Sequence, residues 1–243
     1  MNKGKLKQIL LLTDGCSNVG SDPVAVANMA AEYGITVNVI GIVDDDSFGE
    51  QGIQEIKEIA LAGKGVHQMA HSKHLPRTVQ MVTRKAMTQT IHQVVNKELQ
   101  HILGQEDVQS LPPQKRGQVV EVVEDLGETM AVDVLVLVDV SASMAHKLPA
   151  VKQSLRDLSL SMQARVGDHR FSLWTYPCTG KQPNAYKHMD WSDDFHSIEK
   201  TLARISPQGT TPTGPALEEA IRYFTGKDIG GSEEEGVFRD YVY

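Results

Sequence analysis

The sequence predicts an α/β protein, doubly wound around a mostly parallel central sheet with one antiparallel edge strand. Three observations carry that expectation. Residues 8–12 (QILLL), 35–43 (ITVNVIGIV) and 134–138 (VLVLV) are apolar runs without the polar alternation of a half-exposed strand, so each reads as a strand covered on both faces. Apolar residues spaced by three and four follow them: Val24, Ala27 and Ala31; Ile53, Ile56 and Ile59; Leu148, Val151, Leu155, Leu158 and Met162. Such spacing is one face of a helix, and strands alternating with helices form βαβ units.

Taken in order, the first helix starts after Asp22-Pro23 and stops at Gly34, and the second is marked by its three isoleucines. Residues 65–70 (GVHQMA) are a candidate short edge strand. A long helical pattern spans 75–103, with Leu75, Val79, Val82 and Ala86 on one face and Val95, Leu99 and Ile102 continuing it. Residues 104–117, rich in Gln, Glu, Asp, Ser and Pro, read as a linker, and 119–126 as a short amphipathic helix leading into the strand at 132. Residues 170–176 (RFSLWTY) alternate like a strand with one exposed face, and 185–191 return as its hairpin partner. Ile198, Leu202 and Ile205 outline a brief helix, 216–224 a second one, and the Gly-rich acidic segment 226–243 a flexible tail.

At 243 residues and 40% hydrophobic content, the chain is long enough for one large domain or two small ones. A net charge of −7 argues against nucleic-acid binding, which needs a basic patch or stripe. No apolar run approaches the length of a membrane helix, so no membrane insertion is expected. The start, MNKGKLKQILLL, imitates a signal peptide but meets Thr13-Asp14-Gly15 too early for an apolar signal core. Cys16 and Cys178 make no disulfide framework. The expected address is cytoplasmic.

The stretch around which the chain is organised is 132–144, VDVLVLVDVSASM. Its strand ends in Asp139, and Ser141 and Ser143 follow at alternate positions. A loop at the carboxyl end of a buried parallel strand is where open α/β sheets hold ligands. Asp and Ser are also ordinary helix caps, accepting the orphan amides of a first turn. The functional reading is that three hard oxygen donors converge, a set that suits Mg²⁺ or a similar divalent cation. Asp44-Asp45-Asp46 reads as a solvated loop. His67, His71, His74, His92 and His101 lack a short metal-binding motif and read as surface histidines.

With these pieces placed, the sequence resembles the von Willebrand factor A (vWA) family, whose metal-ion-dependent adhesion site (MIDAS) is assembled from three segments. Asp139, Ser141 and Ser143 match the first. Thr211 in GTTPTGPAL matches the loop threonine, with Thr210 as the alternative register. Asp14-Gly15 in ILLLTDG matches the Asp that follows the next core strand. The family order is changed, because Asp14 here opens the chain. The resemblance therefore implies a circularly permuted, Rossmann-like vWA fold. Residues 1–103 would be the C-terminal portion, 104–127 a linker with a short helix, and 128–225 the N-terminal portion of the same fold. The Asp125-Leu126-Gly127-Glu128 lead-in and the MTQT run at 87–90 are also similar to vWA proteins of endospore-forming bacteria, which implies a bacterial, sporulation-linked cytosolic protein.

The resemblance implies a metal-dependent protein–protein interaction module rather than an enzyme. Asp139, Ser141, Ser143, Thr211 and Asp14 would hold Mg²⁺, with Mn²⁺ or Ca²⁺ as alternatives. A Glu or Asp of a partner protein would complete the coordination. A monomer is expected, with a swapped dimer as the alternative. Two other readings remain open. One is a metal-independent scaffold or regulatory subunit of an ATPase or kinase system. The other is a phosphohydrolase with Asp139 as nucleophile, against which Ser141 stands where haloacid-dehalogenase-like enzymes need a second Asp. No Gly-x-Ser-x-Gly elbow supports a serine nucleophile, and nothing near Cys16 in sequence would activate its thiol.

Overall fold

A computed structural model describes residues 5–43, 49–103, 112–178, 184–193 and 205–226. Strands β1 (Lys5–Thr13), β2 (Ile35–Val43), β3 (Lys64–His71), β4 (Ala131–Asp139), β5 (His169–Tyr176) and β6 (Tyr186–Ser192) form one sheet in the order β3-β2-β1-β4-β5-β6. All neighbours are parallel except β5 and β6, so the fold is Rossmann-like with one antiparallel edge. The chain's first strand lies at the centre of the sheet beside its fourth. Ile9 faces Leu135 and Leu12 faces Val138 across that seam.

Period-two alternation sorts the strand residues into two cores. Leu10 and Leu12 of β1 join Val134, Val136 and Val138 of β4 on one face, under α3 (Leu75–Leu103), α4 (Pro113–Thr129) and α5 (Leu148–Gln163). Ile9 and Leu11 join Leu135 and Leu137 on the other, under α1 (Pro23–Glu32), α2 (Glu50–Ala62) and α6 (Thr213–Thr225). The helix that follows β1 therefore packs on one face and the helix that follows β4 on the opposite face. The loops leaving two adjacent parallel strands diverge, and the crevice between them is the topological switch point at which such sheets bind ligands.

Several local expectations hold to the residue. β2 spans Ile35–Val43 and α3 spans Leu75–Leu103. α1 begins as its sequence suggests, with the Asp22 side chain accepting the Val24 amide at 2.9 Å and Pro23 in the first turn. All five spaced apolar residues of α5 are buried. His67, His71, His74 and His101 are exposed and His92 is half-buried.

Other expectations change. β5 has no exposed face, because Phe171 and Leu173 enter one core while Trp174 and Tyr176 enter the other beneath α6. Ile53 points outward, 43% exposed, and Ile56 and Ile59 carry the buried stripe of α2. Pro113 to Gly117, read as linker, form the first turns of α4, since Pro is compatible with a helix's first position. The acidic triplet 44–46, the loop residues Gly180 and Pro183, the helix outlined by Ile198 and Leu202, residues 104–111 and the tail from 227 lie outside the described residues.

Candidate functional site

Three segments meet at the carboxyl ends of β1 and β4: the loop after β1, the loop after β4 and the loop that holds Thr211. Asp139, the last residue of β4, is fully buried. Its Oδ1 accepts the Ser141 amide at 2.8 Å and its Oδ2 accepts the Thr13 hydroxyl at 2.8 Å. Ser141 Oγ lies 3.1 Å from Ser143 Oγ. Ser143 Oγ in turn donates to Asp14 Oδ1 at 2.8 Å, joining residues 129 positions apart. The Lys147 ammonium donates to Asp14 Oδ2 at 2.6 Å, with the two side chains 7% and 1% exposed. Asp139, Ser141, Ser143 and Asp14, singled out from sequence, thus form one continuous network.

Thr211 joins this neighbourhood through its backbone. Its amide donates to Asn18 Oδ1 at 2.9 Å and its carbonyl accepts the Asn18 amide at 3.2 Å. Close packing seats this loop on the one after β1. A Cβ on Gly214 would meet the Ser21 carbonyl oxygen at 1.9 Å, so only glycine permits the approach. Thr211 is buried, whereas Thr210 is exposed.

Burial pushes the Asp139 carboxyl up to about 6. The hydrogen bonds from Ser141 and Thr13 act against that rise, and the neighbouring charge of Asp14 adds to it. Burial, then the Asp139 charge, also raises the Tyr176 phenol. Cys16 sits on the same loop with its thiol raised by burial and by Glu55, the opposite of an activated nucleophile.

The donor set decides whether these residues suit a divalent cation. Two carboxylates and two serine hydroxyls, all hard oxygens, share one network, and a positive group already sits against one carboxylate. That chemistry fits Mg²⁺, which accepts one or two carboxylates and keeps waters. Among the described residues, no group of three or more His, Cys, Asp or Glu side chains is placed to hold a metal ion. A cation here would rest on two carboxylates, neutral hydroxyls and water.

Thr13, Asn18 and Lys147 escaped the sequence reading. Thr13 and Asn18 are ordinary loop and strand-end types with no distinguishing pattern. Lys147 left a signal: it is the residue before the first turn of α5, where a positive charge opposes the helix dipole, so it needs a partner to justify the position.

No protein-family model matches the chain. It is 51% identical over 225 residues to the uncharacterized protein YabS of Bacillus subtilis (strain 168), covering 92% of this chain and 91% of that one. The crystal structure of an uncharacterized protein from Alicyclobacillus acidocaldarius superposes with a TM-score of 0.84 at 39% identity, covering 91% of this chain and 94% of that one. Proximal thread matrix protein 1 of the mussel byssus, with a zinc-occupied MIDAS motif, is 18% identical with a TM-score of 0.28, covering 90% of this chain and 47% of that one. A superposition that poor carries no argument. Identity at the level of YabS, running almost end to end in both chains, is a family relationship, and the chain belongs to the family of YabS.

Proposed function

We propose that the protein is a metal-dependent protein–protein interaction module of the vWA type, with its three site segments in circularly permuted order. The observation that carries this reading is the hydrogen-bonded path from Asp139 through Ser141 and Ser143 to Asp14, closed across the central seam of the sheet. Segments more than 120 positions apart in the sequence converge where an open α/β sheet binds ligands.

Asp139, Ser141, Ser143, Thr211 and Asp14 would hold the ion, directly or through water. Mg²⁺ or Mn²⁺, when bound, would supply Lewis acidity toward one further ligand, a Glu or Asp carboxylate from a partner protein. In this reading, Asp139 contributes a charge that burial makes costly and that a cation offsets. Ser141 and Ser143 contribute donors without charge, so the two Asp carboxylates alone would balance the ion and a coordination position would stay open for a partner. No nucleophile–base pair is part of this reading, and the role is non-enzymatic.

A second reading has one observation in its favour. The Lys147–Asp14 pair already satisfies one carboxylate without metal, as a metal-independent scaffold would require. The two separate in one experiment. Partners captured from native extract on the immobilised protein should elute with EDTA and return with Mg²⁺, and the Asp139→Ala protein should capture none of them. Capture that is unchanged by EDTA and by Asp139→Ala would replace the metal reading with the scaffold.

A further inference from the structure

We propose that Lys147 is a built-in occupant of the cation position at Asp14, which a divalent ion must displace before both carboxylates can hold it. This rests on the metal reading above and adds the residue that controls loading. Both oxygens of Asp14 are engaged from the β4 side: Oδ1 accepts Ser143 Oγ at 2.8 Å and Oδ2 accepts Lys147 Nζ at 2.6 Å. An ammonium 2.6 Å from Oδ2 opposes a divalent ion on the same carboxylate, because like charges repel and both side chains of the pair are nearly buried.

The backbone is arranged for the side chain to leave alone. The Lys147 amide donates to the Met144 carbonyl at 2.9 Å, and its carbonyl accepts the Val151 amide at 3.1 Å. Those bonds fix the backbone at the start of α5 without using the side chain, whose four-carbon stem is buried with its ammonium on Asp14 and is flexible once that pair breaks. The helix dipole disfavours a cation at that position, and the ion pair with Asp14 works against that effect. In the closed form, Lys147 also ties the loop after β4 to the loop after β1. Once displaced, the ammonium stands at the rim of the site and adds its charge to that of the ion. The ligand class this favours is a carboxylate on an acidic segment of the partner.

Two measurements on the full chain test this. Mass spectrometry after brief acetylation should show Lys147 modified several-fold more when millimolar Mg²⁺ is present, and the Asp139→Ala protein should show no such rise. Titration with Mn²⁺ followed by its electron-spin resonance should give Lys147→Met roughly tenfold or more higher affinity than the wild type, the gain from removing one competing charge. Lys147→Arg should gain nothing. Mn²⁺ binding in the wild type with unchanged acetylation and unchanged or weaker binding by Lys147→Met would overturn the displacement and leave the metal reading standing. Absence of binding in both proteins would overturn both, the metal reading first. Should Lys147→Met fail to fold, the acetylation result decides.

Discussion

Strand β4 carries a buried carboxylate at each end, and the two are treated differently. Asp133, at the amino end, has a side chain 7% exposed and is held by two cations. Arg170 donates to both of its oxygens, at 2.9 and 2.6 Å, and Lys5 lies 3.2 Å away. Asp139, at the carboxyl end, is fully buried and, among the described residues, accepts from Thr13 and Ser141, both neutral. Burial leaves its carboxyl pushed up to about 6. One end of the strand has its charge balanced by the fold's own residues, as a structural pair should. At the other end the balancing charge is displaced by one step, onto Asp14, where Lys147 sits. In the metal reading proposed above, that mismatch is what a bound cation would offset.

The most severe way to break both ends at once is to divide the chain between the two strands of the seam. Lys5 and Asp14 come from β1 and its loop, whereas Asp133, Ser143 and Lys147 come from β4 and its loop. Residues 1–104 and 112–243, expressed separately, should each lack a cooperative thermal transition and regain one when mixed. Two fragments that each melt cooperatively would show that the halves are independent domains and would sink the permuted single domain.

Next in size is the structural end alone. Asp133→Ala should destabilise the protein by about 2 kcal/mol, less than the loss of a fully buried pair because Lys5 and Arg170 keep contact with water. Urea denaturation should give the same loss with Mg²⁺ and with EDTA. A loss that depends on Mg²⁺ would erase the distinction between the two ends.

A smaller effect appears with pH at the other end. Asp139 has a folded value of about 6 against an ordinary 3.8, so the folded state binds the proton more tightly. The resulting stabilisation is fully present below pH 3.8 and is lost as pH rises through about 6. In EDTA, stability should therefore fall by about 1 kcal/mol between pH 5 and pH 8 from this group. Asp139→Asn should remove that component of the slope. The smallest effect is kinetic: Cys16, its thiol raised by burial and Glu55, should be alkylated more slowly at pH 8 than free cysteine.

Half of this contrast is legible in the sequence, where Asp139 stands out and Asp133 does not. β2 and the stripe of α5 are strong local patterns, a nine-residue apolar run and five residues at helical spacing, and local patterns survive tertiary packing. β5 was misread because its second cover, α6, arrives about 40 residues later in the chain, and no window along the strand contains it. At the site, Asp139, Ser141, Ser143 and Asp14 carry a recognisable pattern, and their convergence follows from β1 pairing with β4. Thr13 and Asn18 are identified only by the partners they find in space. Lys147 lay between, an electrostatic misfit at a helix start whose reason is the carboxylate 133 positions away.

The central claim is that Asp14 and Asp139 form one cation site across the seam. Its most direct measurement is the shift of melting temperature on adding millimolar Mg²⁺ to the wild type, Asp139→Ala and Asp14→Ala, since an ion that binds only the folded state raises its stability by mass action. The wild type should melt several degrees higher with Mg²⁺, by the roughly 1 kcal/mol that a modest excess over Kd supplies, and neither variant should respond. A variant carrying Asp14→Ala that keeps the full Mg²⁺ response while Asp139→Ala loses it would remove Asp14 from the site and contradict the claim.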